Sequence, residues 1–263
     1  MITNIENHIM PVLFIGHGTP MNAIENNEFS IKWQELGNIL PKPKAILCIS
    51  AHWETDYSMV TAMDKPQTIH DFGGFPEELY RQQYPAAGSP MLADTIQNKI
   101  KTLKKDCWWG LDHGSWCFLK HIYPDADIPV IQLSIDYNQD MQYHYDLGKQ
   151  LAFLRRMGVL IAGSGNMIHN LWLARPLNND FNSEFAYDWA EKLNDAIKEK
   201  IRSKEHSSLI NYHTLSKDVR LGIPSEEHYI PLIYALALQQ ESEPIEIFND
   251  KIVAGSLSMT SFI

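Results

Sequence analysis

Four short apolar runs recur along the chain, and each is closed by glycine, serine or another polar residue. They cover residues 11–15, 45–49, 128–134 and 159–162. Their apolar positions are nearly continuous rather than alternating, which is typical of strands that are buried on both faces of a parallel sheet. A further strand is predicted at residues 255–262.

Longer segments with helical spacing of apolar residues lie between these runs. The predicted helices cover residues 28–40, 90–103, 143–157, 183–202 and 226–239. Gly158 is predicted to be a C-cap of the third helix, and Ser225 is predicted to be the N-cap of the fifth. Strands that alternate with helices, with no linker or repeat between them, predict a single α/β domain over residues 1–263. We expect a mostly parallel central sheet flanked by helices.

The net charge of −10 argues against a general nucleic-acid binder and against binding to an anionic membrane surface. The sequence shows no apolar run near the ~20 residues that a membrane helix needs, and its first residues do not resemble a signal peptide. Cys48, Cys107 and Cys117 form no C-x-x-C pair and are expected to be thiols. We therefore expect a cytoplasmic protein, either a monomer or a small homo-oligomer.

Several of the eleven histidines directly follow predicted strands. His17 stands between two glycines after the first strand, and His52 follows the second. His169 comes after the turn that contains Gly163 and Gly165, which we interpret as residues that let a ligand approach closely. In open parallel sheets, ligands bind beyond the carboxyl ends of the strands, and imidazole is a common ligand for zinc and iron. Each histidine alone is better explained as a cap or a hydrogen-bonded core residue, but three at equivalent strand ends make a shared metal site an equally good interpretation.

Three other segments carry candidate chemistry. His113 lies in a glycine-flanked loop beside Asp112, and the predicted start of the fifth helix would present His228 or Tyr229 to the site. The aromatic loop at residues 68–76, with His70 and Phe72, would form a wall for a planar ring. Structural caps and a packed surface turn are the alternative interpretations of these segments. The remaining histidines are expected to be surface or packing residues: His8, His121, His144, His206 and His213.

Six motifs form a set that is specific in this order along the chain. They read GHGTPM at 16–21, SAHW at 50–53, IHDFGGFP at 69–76, DHGSW at 112–116, GSGN with HN at 163–170, and EHY at 227–229. This set resembles the DOPA 4,5-dioxygenase (extradiol) family, within the class III extradiol ring-cleavage dioxygenases that include protocatechuate 4,5-dioxygenase. The resemblance covers nearly the whole chain and implies a single α/β domain with a metal at the C-terminal ends of the strands.

The resemblance also implies roles for individual histidines. His17, His52 and His228 would be the metal ligands, and many relatives have a glutamate in place of the third. Three histidines suit Zn(II) as well as Fe(II), with one ion per chain. His169 matches the family's acid/base histidine and is a candidate fourth ligand. His113 matches a histidine that hydrogen-bonds the substrate or bound oxygen.

The function that this resemblance implies is extradiol opening of a DOPA-like catechol ring with O₂ in a metal-dependent reaction. We expect His70, Phe72 and Tyr229 to contact the substrate. Two alternatives stay open at this point. A zinc-dependent hydrolase would use the same three ligands to activate a water molecule, and a non-catalytic scaffold would keep the fold without the reaction.

Overall fold

A computed structural model of the chain describes residues 9–263, so His8 lies outside the described residues. The strands in this part of the chain are β1 (Val12–Gly16), β2 (Ala45–Thr55), β3 (Met59–Thr61), β4 (Lys104–Asp106), β5 (Val130–Asp136), β6 (Val159–Gly165), β7 (Ile247–Phe248), β8 (Ile252–Val253), β9 (Leu257–Ser258) and β10 (Ser261–Phe262). Eight of them form one sheet in the order β4-β3-β5-β2-β6-β1-β10-β7. The central strands β5, β2, β6 and β1 are parallel, as predicted.

The helices within residues 9–263 are α1 (Glu28–Ile39), α2 (Glu77–Tyr80), α3 (Pro90–Lys99), α4 (His113–Ile122), α5 (Met141–Leu151), α6 (Phe153–Arg156), α7 (Asp188–Arg202), α8 (His206–Ile210), α9 (Val219–Gly222) and α10 (Ile230–Leu238), with short 3₁₀ turns at Pro20–Ala23 and Tyr212–Thr214. The third predicted helix is divided at Ala152, and Gly158 follows it with a φ of 86°, as a C-cap glycine does. The fifth begins four residues later than predicted, so Ser225 does not cap it.

The sheet is covered on both faces, which explains why its strands are apolar throughout. Phe14, Leu47 and Ile161 belong to one buried cluster, which also contains residues of α3, α5, α7 and α10. Alternate strand residues such as Leu13 and Ile46 belong to a second cluster with α1 and α4. Since successive side chains of a strand point to opposite faces, each strand contributes to both layers. The fold is therefore a single α/β domain with helices on both sides of the sheet, as predicted.

The polar end of β2 departs from the predicted strand boundary. The strand continues past Ile49 to Thr55, and its pairing with β5 shifts register between Ile49 and Glu54. His52 lies within this irregular stretch, at the carboxyl edge of the sheet.

No helix among residues 9–263 is both long and apolar enough to cross a membrane.

Candidate metal centre

Three imidazoles meet at the carboxyl edge of the sheet. His17 directly follows β1, His52 lies in the last part of β2, and His228 belongs to the segment that leads into α10. Each offers a ring nitrogen, and these nitrogens all lie within 4.8 Å of one another. The Nε2 atoms of His17 and His52 are 3.2 Å apart. Such a cluster of nitrogen atoms has the dimensions of a shared cation site.

The backbone at the end of β1 fixes the position of His17. Its N–H donates to the carbonyl of Gly165 at 3.2 Å, which continues the ladder between β1 and β6 by one residue. Gly18 then turns the chain with a φ of 61°, a conformation that favours glycine. Residue 17 is thus held at the edge of the sheet by its neighbours on both sides.

Gly165 performs a different task from the one that the sequence suggested. A Cβ atom at this position would lie 2.2 Å from the carbonyl oxygen of His228. The same oxygen accepts a hydrogen bond from the Asn166 N–H at 2.8 Å. The glycine therefore admits the backbone of the segment that carries His228, rather than a ligand. Because Gly165 is the last residue of β6, this contact brings His228 to the strand ends from a distant part of the sequence.

The hydrogen bond between His17 and Ser164 determines which ring nitrogen of His17 is free. The Ser164 hydroxyl donates to the carbonyl of Gly114, so it accepts from the Nδ1–H of His17, which is 3.0 Å away. The proton of the neutral ring is therefore on Nδ1, and the lone pair of Nε2 faces the other histidines. An outer partner that orients a metal-binding imidazole in this way is a common feature of metal sites.

Carboxylates play the same role for the other two rings. The Nδ1 atom of His228 is 3.0 Å from Oε1 of Glu227, and the Nδ1 atom of His52 is 3.4 Å from Oδ2 of Asp71. The Nε2 atom of His228 is buried and has no hydrogen-bond partner among the described residues. A buried nitrogen without a partner is costly unless something binds it. The three rings thus fit a cation that is held by their Nε2 atoms.

Two further histidines stand beside this cluster. The Nδ1 of His113 donates to Oδ2 of Asp71 at 2.9 Å, and its backbone N–H donates to Oδ1 at 2.8 Å. The ring of His169 stacks on that of His228, with centroids 3.5 Å apart and an angle of 5° between the planes. A ligand atom of His169 also lies within 4.8 Å of such atoms on Glu227 and His228.

Burial keeps the imidazoles of this cluster neutral. Burial, followed by repulsion from neighbouring histidines, lowers the pKa of His17 and of His228 well below 6.5. Burial and then the charge of His113 lower the pKa of His52 to about 3. Burial lowers the pKa of His169 to about 4. Neutral imidazole is the form that binds metal ions, so the donor set is in its binding form at pH 7.

A cavity of about 290 Å³ opens above the three histidines, with His113 and His169 on its sides. Its size is at the lower end of the range for small-molecule sites. Apart from the histidines, Gly18, Thr19 and Asp71, its wall is apolar and consists of Pro20, Phe72, Phe75, Leu171, Phe181 and Leu257. The sequence predicted Phe72 at the wall. Phe75 lies in the same aromatic loop, whereas Leu171, Phe181 and Leu257 carry no local signal in the sequence.

Two predicted substrate contacts do not line the cavity. His70 lies behind Phe72, with its Nε2 2.9 Å from the carbonyl of Gln82. Tyr229 is 1% exposed and donates from its hydroxyl to the carbonyl of Leu209 within the core. The prediction for Tyr229 is wrong because the helix starts after it, and the turn that holds His228 at the cavity directs Tyr229 into the core. Four other histidines have packing or surface positions, as expected: His121, His144, His206 and His213.

A cluster of neutral imidazoles below a small apolar cavity, with two more histidines beside it, is typical of a metal-dependent enzyme that acts on a small molecule. Residues 7–261 match the family model described as the catalytic LigB subunit of aromatic ring-opening dioxygenase. The chain belongs to this family. An aromatic ring-opening dioxygenase needs a metal, an aromatic substrate and O₂, and the described residues provide the donors and the cavity.

Curated relatives share this similarity over nearly their whole length. The chain is 45% identical to the 4,5-DOPA dioxygenase extradiol of Escherichia coli K12, over 96% of this chain and 93% of the relative. It is 38% identical to the protein of the same name from Beta vulgaris, over 98% and 97% of the two chains. A crystal structure of an uncharacterized Escherichia coli K12 protein matches with a TM-score of 0.83 and 39% identity, over 96% of this chain and 98% of that one. These relatives favour extradiol dioxygenase activity over the hydrolase and scaffold hypotheses.

Proposed function

We propose that this chain opens a DOPA-like catechol beside its two hydroxyl groups, with O₂, at a metal held by His17, His52 and His228. The observation that carries the proposal is the convergence of three imidazole nitrogens within 4.8 Å at the floor of an apolar cavity. One domain, residues 1–263, would carry the whole activity. Three free cysteines are in keeping with a cytoplasmic location, where thiols stay reduced.

We assign Fe(II) as the active ion, one per chain. When bound, the ion would supply coordination of the catechol oxygens and one-electron chemistry toward O₂, which Zn(II) cannot provide because it has no redox chemistry. Zn(II) suits the same three nitrogens and would compete for them. The outer carboxylates of Asp71 and Glu227 bring negative charge to a ligand set that has none of its own.

His169 is our candidate for the base that removes a proton from a catechol hydroxyl. Its ring lies on the cavity wall, parallel to His228, so it would stand beside the ring oxygens of a substrate bound at the metal. The same imidazole, once protonated, returns the proton as the ring opens. His113 donates from Nδ1 to Asp71, so its neutral ring would present Nε2 to a substrate hydroxyl as a hydrogen-bond acceptor.

The wall orients the ring and excludes water. Phe72 and Phe75 pack edge to face, with centroids 5.4 Å apart, and both line the cavity. His70 supports this wall from behind, with its ring centroid 5.7 Å from that of Phe72.

In the balanced reaction, one ring C–C bond breaks and both atoms of O₂ enter the product, which carries a new aldehyde and a new carboxylate.

The test is anaerobic reconstitution with Fe(II), followed by addition of air and DOPA. We expect O₂ uptake that matches the formation of a yellow ring-opened product, and no turnover with Zn(II) alone. The protein treated with a chelator is the control. Hydrolytic activity with Zn(II) in the absence of O₂, or DOPA consumption that is independent of Fe(II), would contradict the proposal.

A further inference from the structure

Asp112 is a fully buried carboxylate that directly precedes His113 and does not line the cavity. Its oxygen atoms accept hydrogen bonds from four described groups: Oγ of Ser50 at 2.6 Å, the N–H of Ser115 at 3.2 Å, Nε2 of Gln132 at 2.6 Å and Nε1 of Trp109 at 3.1 Å. Burying a carboxylate is costly unless its oxygens are paired in this way. The carboxylate therefore fixes the positions of the segments that supply the donors.

One of these hydrogen bonds leads to the metal ligand His52. The Ser50 hydroxyl donates to Oδ1 of Asp112 and accepts from the backbone N–H of His52 at 3.2 Å. Both residues of β2 lie where the pairing with β5 shifts register, so the regular ladder on that side of the strand is interrupted. The carboxylate thus holds the backbone of the ligand through a single serine.

The same carboxylate caps the helix that begins with His113. Oδ1 of Asp112 accepts from the N–H of Ser115 in the first turn of α4. This turn packs directly against the ligand, because a Cβ atom at Gly114 would lie 2.8 Å from Cδ2 of His52. Asp112 therefore joins the backbone segment of one cavity histidine to that of another.

The rings of these two histidines are also joined, by a different carboxylate. Oδ2 of Asp71 is 2.9 Å from Nδ1 of His113 and 3.4 Å from Nδ1 of His52, and the two ring centroids are 3.9 Å apart. We propose that Asp112 is a positioning residue, which sets the separation between the ligand His52 and the cavity histidine His113. This inference rests on the metal site of the proposed function. It assigns to Asp112 the placement of His113 relative to a substrate oxygen at the metal.

Asp112→Asn would reverse one link of this network. Nε2 of Gln132 and Nε1 of Trp109 can only donate, so the amide oxygen of the asparagine has to face them and its NH₂ group faces Ser50. The orientation of the Gln132 amide is fixed, because its Oε1 accepts from the N–H of Asp112. The Ser50 hydroxyl would then accept from residue 112 and could no longer donate to it.

Two further variants separate this link from the rest of the network. Ser50→Ala removes the link to His52 without changing residue 112. Trp109→Phe is the matched control, because it removes a donor to Oδ2 of Asp112 and leaves the Ser50 link in place.

The visible absorption of bound Co(II) reports the geometry of the ligand set without turnover. We expect Asp112→Asn and Ser50→Ala to shift these bands. Both should lower kcat for DOPA with Fe(II) by about 10–100-fold, the effect typical of a group that orients a metal ligand. KM should change little, since the residues of the cavity wall are unchanged. Trp109→Phe should keep the wild-type bands and kcat. Spectra recorded well below the melting temperature of each variant would not respond to a loss of stability alone.

Wild-type Co(II) bands and kcat in Asp112→Asn and Ser50→Ala would overturn the inference and leave ring cleavage intact. Equal changes in Trp109→Phe would overturn it as well. If Asp112→Asn does not fold, Ser50→Ala decides by the same two measurements. A wild-type protein that neither binds Co(II) nor turns over DOPA with Fe(II) would overturn the proposed function together with the inference, so the two failures are distinguishable.

Discussion

His144 and His228 are alike in burial and in the direction of their pKa shift, yet only His228 belongs to the candidate metal centre. Both are buried, burial lowers the pKa of both, and each has an Nε2 atom without a hydrogen-bond partner among the described residues. His144 bonds through Nδ1 to the Tyr234 hydroxyl, 3.0 Å away, and none of the metal-binding groups found in residues 9–263 includes it. The difference is that His228 shares its surroundings with His17 and His52, so convergence marks the site better than burial does.

Removing one converging nitrogen should have the largest effect. His17→Ala leaves two of the three proposed ligands, so we expect iron content to fall steeply and ring cleavage to drop by far more than a hundredfold, since even outer partners of a metal ligand change affinity by about 10–100-fold. Metal analysis and O₂ uptake measure both quantities. His213→Ala, at an exposed histidine, is the matched control. Full iron content in His17→Ala would remove this residue from the centre.

His169→Gln should slow turnover without releasing the metal. Loss of a general base typically costs about 10²–10⁴ in rate, and we expect that loss in kcat, with iron content like that of the unchanged protein. Single-turnover rates and metal analysis separate the two effects. A parallel loss of iron would instead identify His169 as a fourth ligand, because its ring stacks directly on His228.

The adjacent residues Glu226 and Glu227 allow the effect of one outer charge on metal affinity to be compared with a matched control. Glu227→Gln keeps a hydrogen-bond acceptor near Nδ1 of His228 but removes the negative charge. We expect about 10–100-fold weaker metal binding, measured by competition with a chromophoric chelator. Glu226→Gln is the control, since Glu226 accepts from the Tyr212 hydroxyl instead. Equal metal affinity in both variants would show that the charge of Glu227 does not reach the centre.

His144 should affect how the free energy of unfolding depends on pH, and should leave turnover unaffected. In the unfolded chain its pKa is near 6.5, whereas burial lowers the pKa in the folded protein to about 4. Between these two pKa values the unfolded chain binds a proton at this ring and the folded protein does not. The free energy of unfolding is therefore unaffected by this ring above pH 6.5 and falls as the pH decreases toward 4. From pH 7 to 4.5 the wild-type protein should lose about 2–3 kcal/mol more than His144→Phe in urea unfolding, while turnover at pH 7 is unchanged. Equal acid sensitivity would contradict this assignment.

The strand-end part of the centre could be predicted from sequence because its signal is local. His17 and His52 directly follow apolar runs, and chain direction in a parallel sheet brings such positions to one edge. The strand β2 was nevertheless predicted too short, since Ser50, His52 and Glu54 interrupt its apolar pattern. These polar residues lie at the carboxyl edge that carries the candidate centre, and the strand does not end there.

The rest of the site depends on tertiary contacts that leave little trace in the sequence. Phe181 and Leu171 reach the wall from a loop without regular structure. Tyr229 was misassigned because the helix was started at residue 226. Pro231 held the correct signal, since proline favours the first turn of a helix and so indicated a start near residue 230.

The wide spacing of the three proposed ligands along the chain has a thermodynamic consequence. Positions 17, 52 and 228 come together only when the sheet and the segment before α10 are assembled. A denatured chain would hold a divalent ion weakly. An ion that binds mainly to the folded protein would therefore raise the free energy of unfolding by mass action. Loading should raise the melting temperature in proportion to the logarithm of free ion concentration, and chelation should lower the melting temperature in addition to abolishing catalysis.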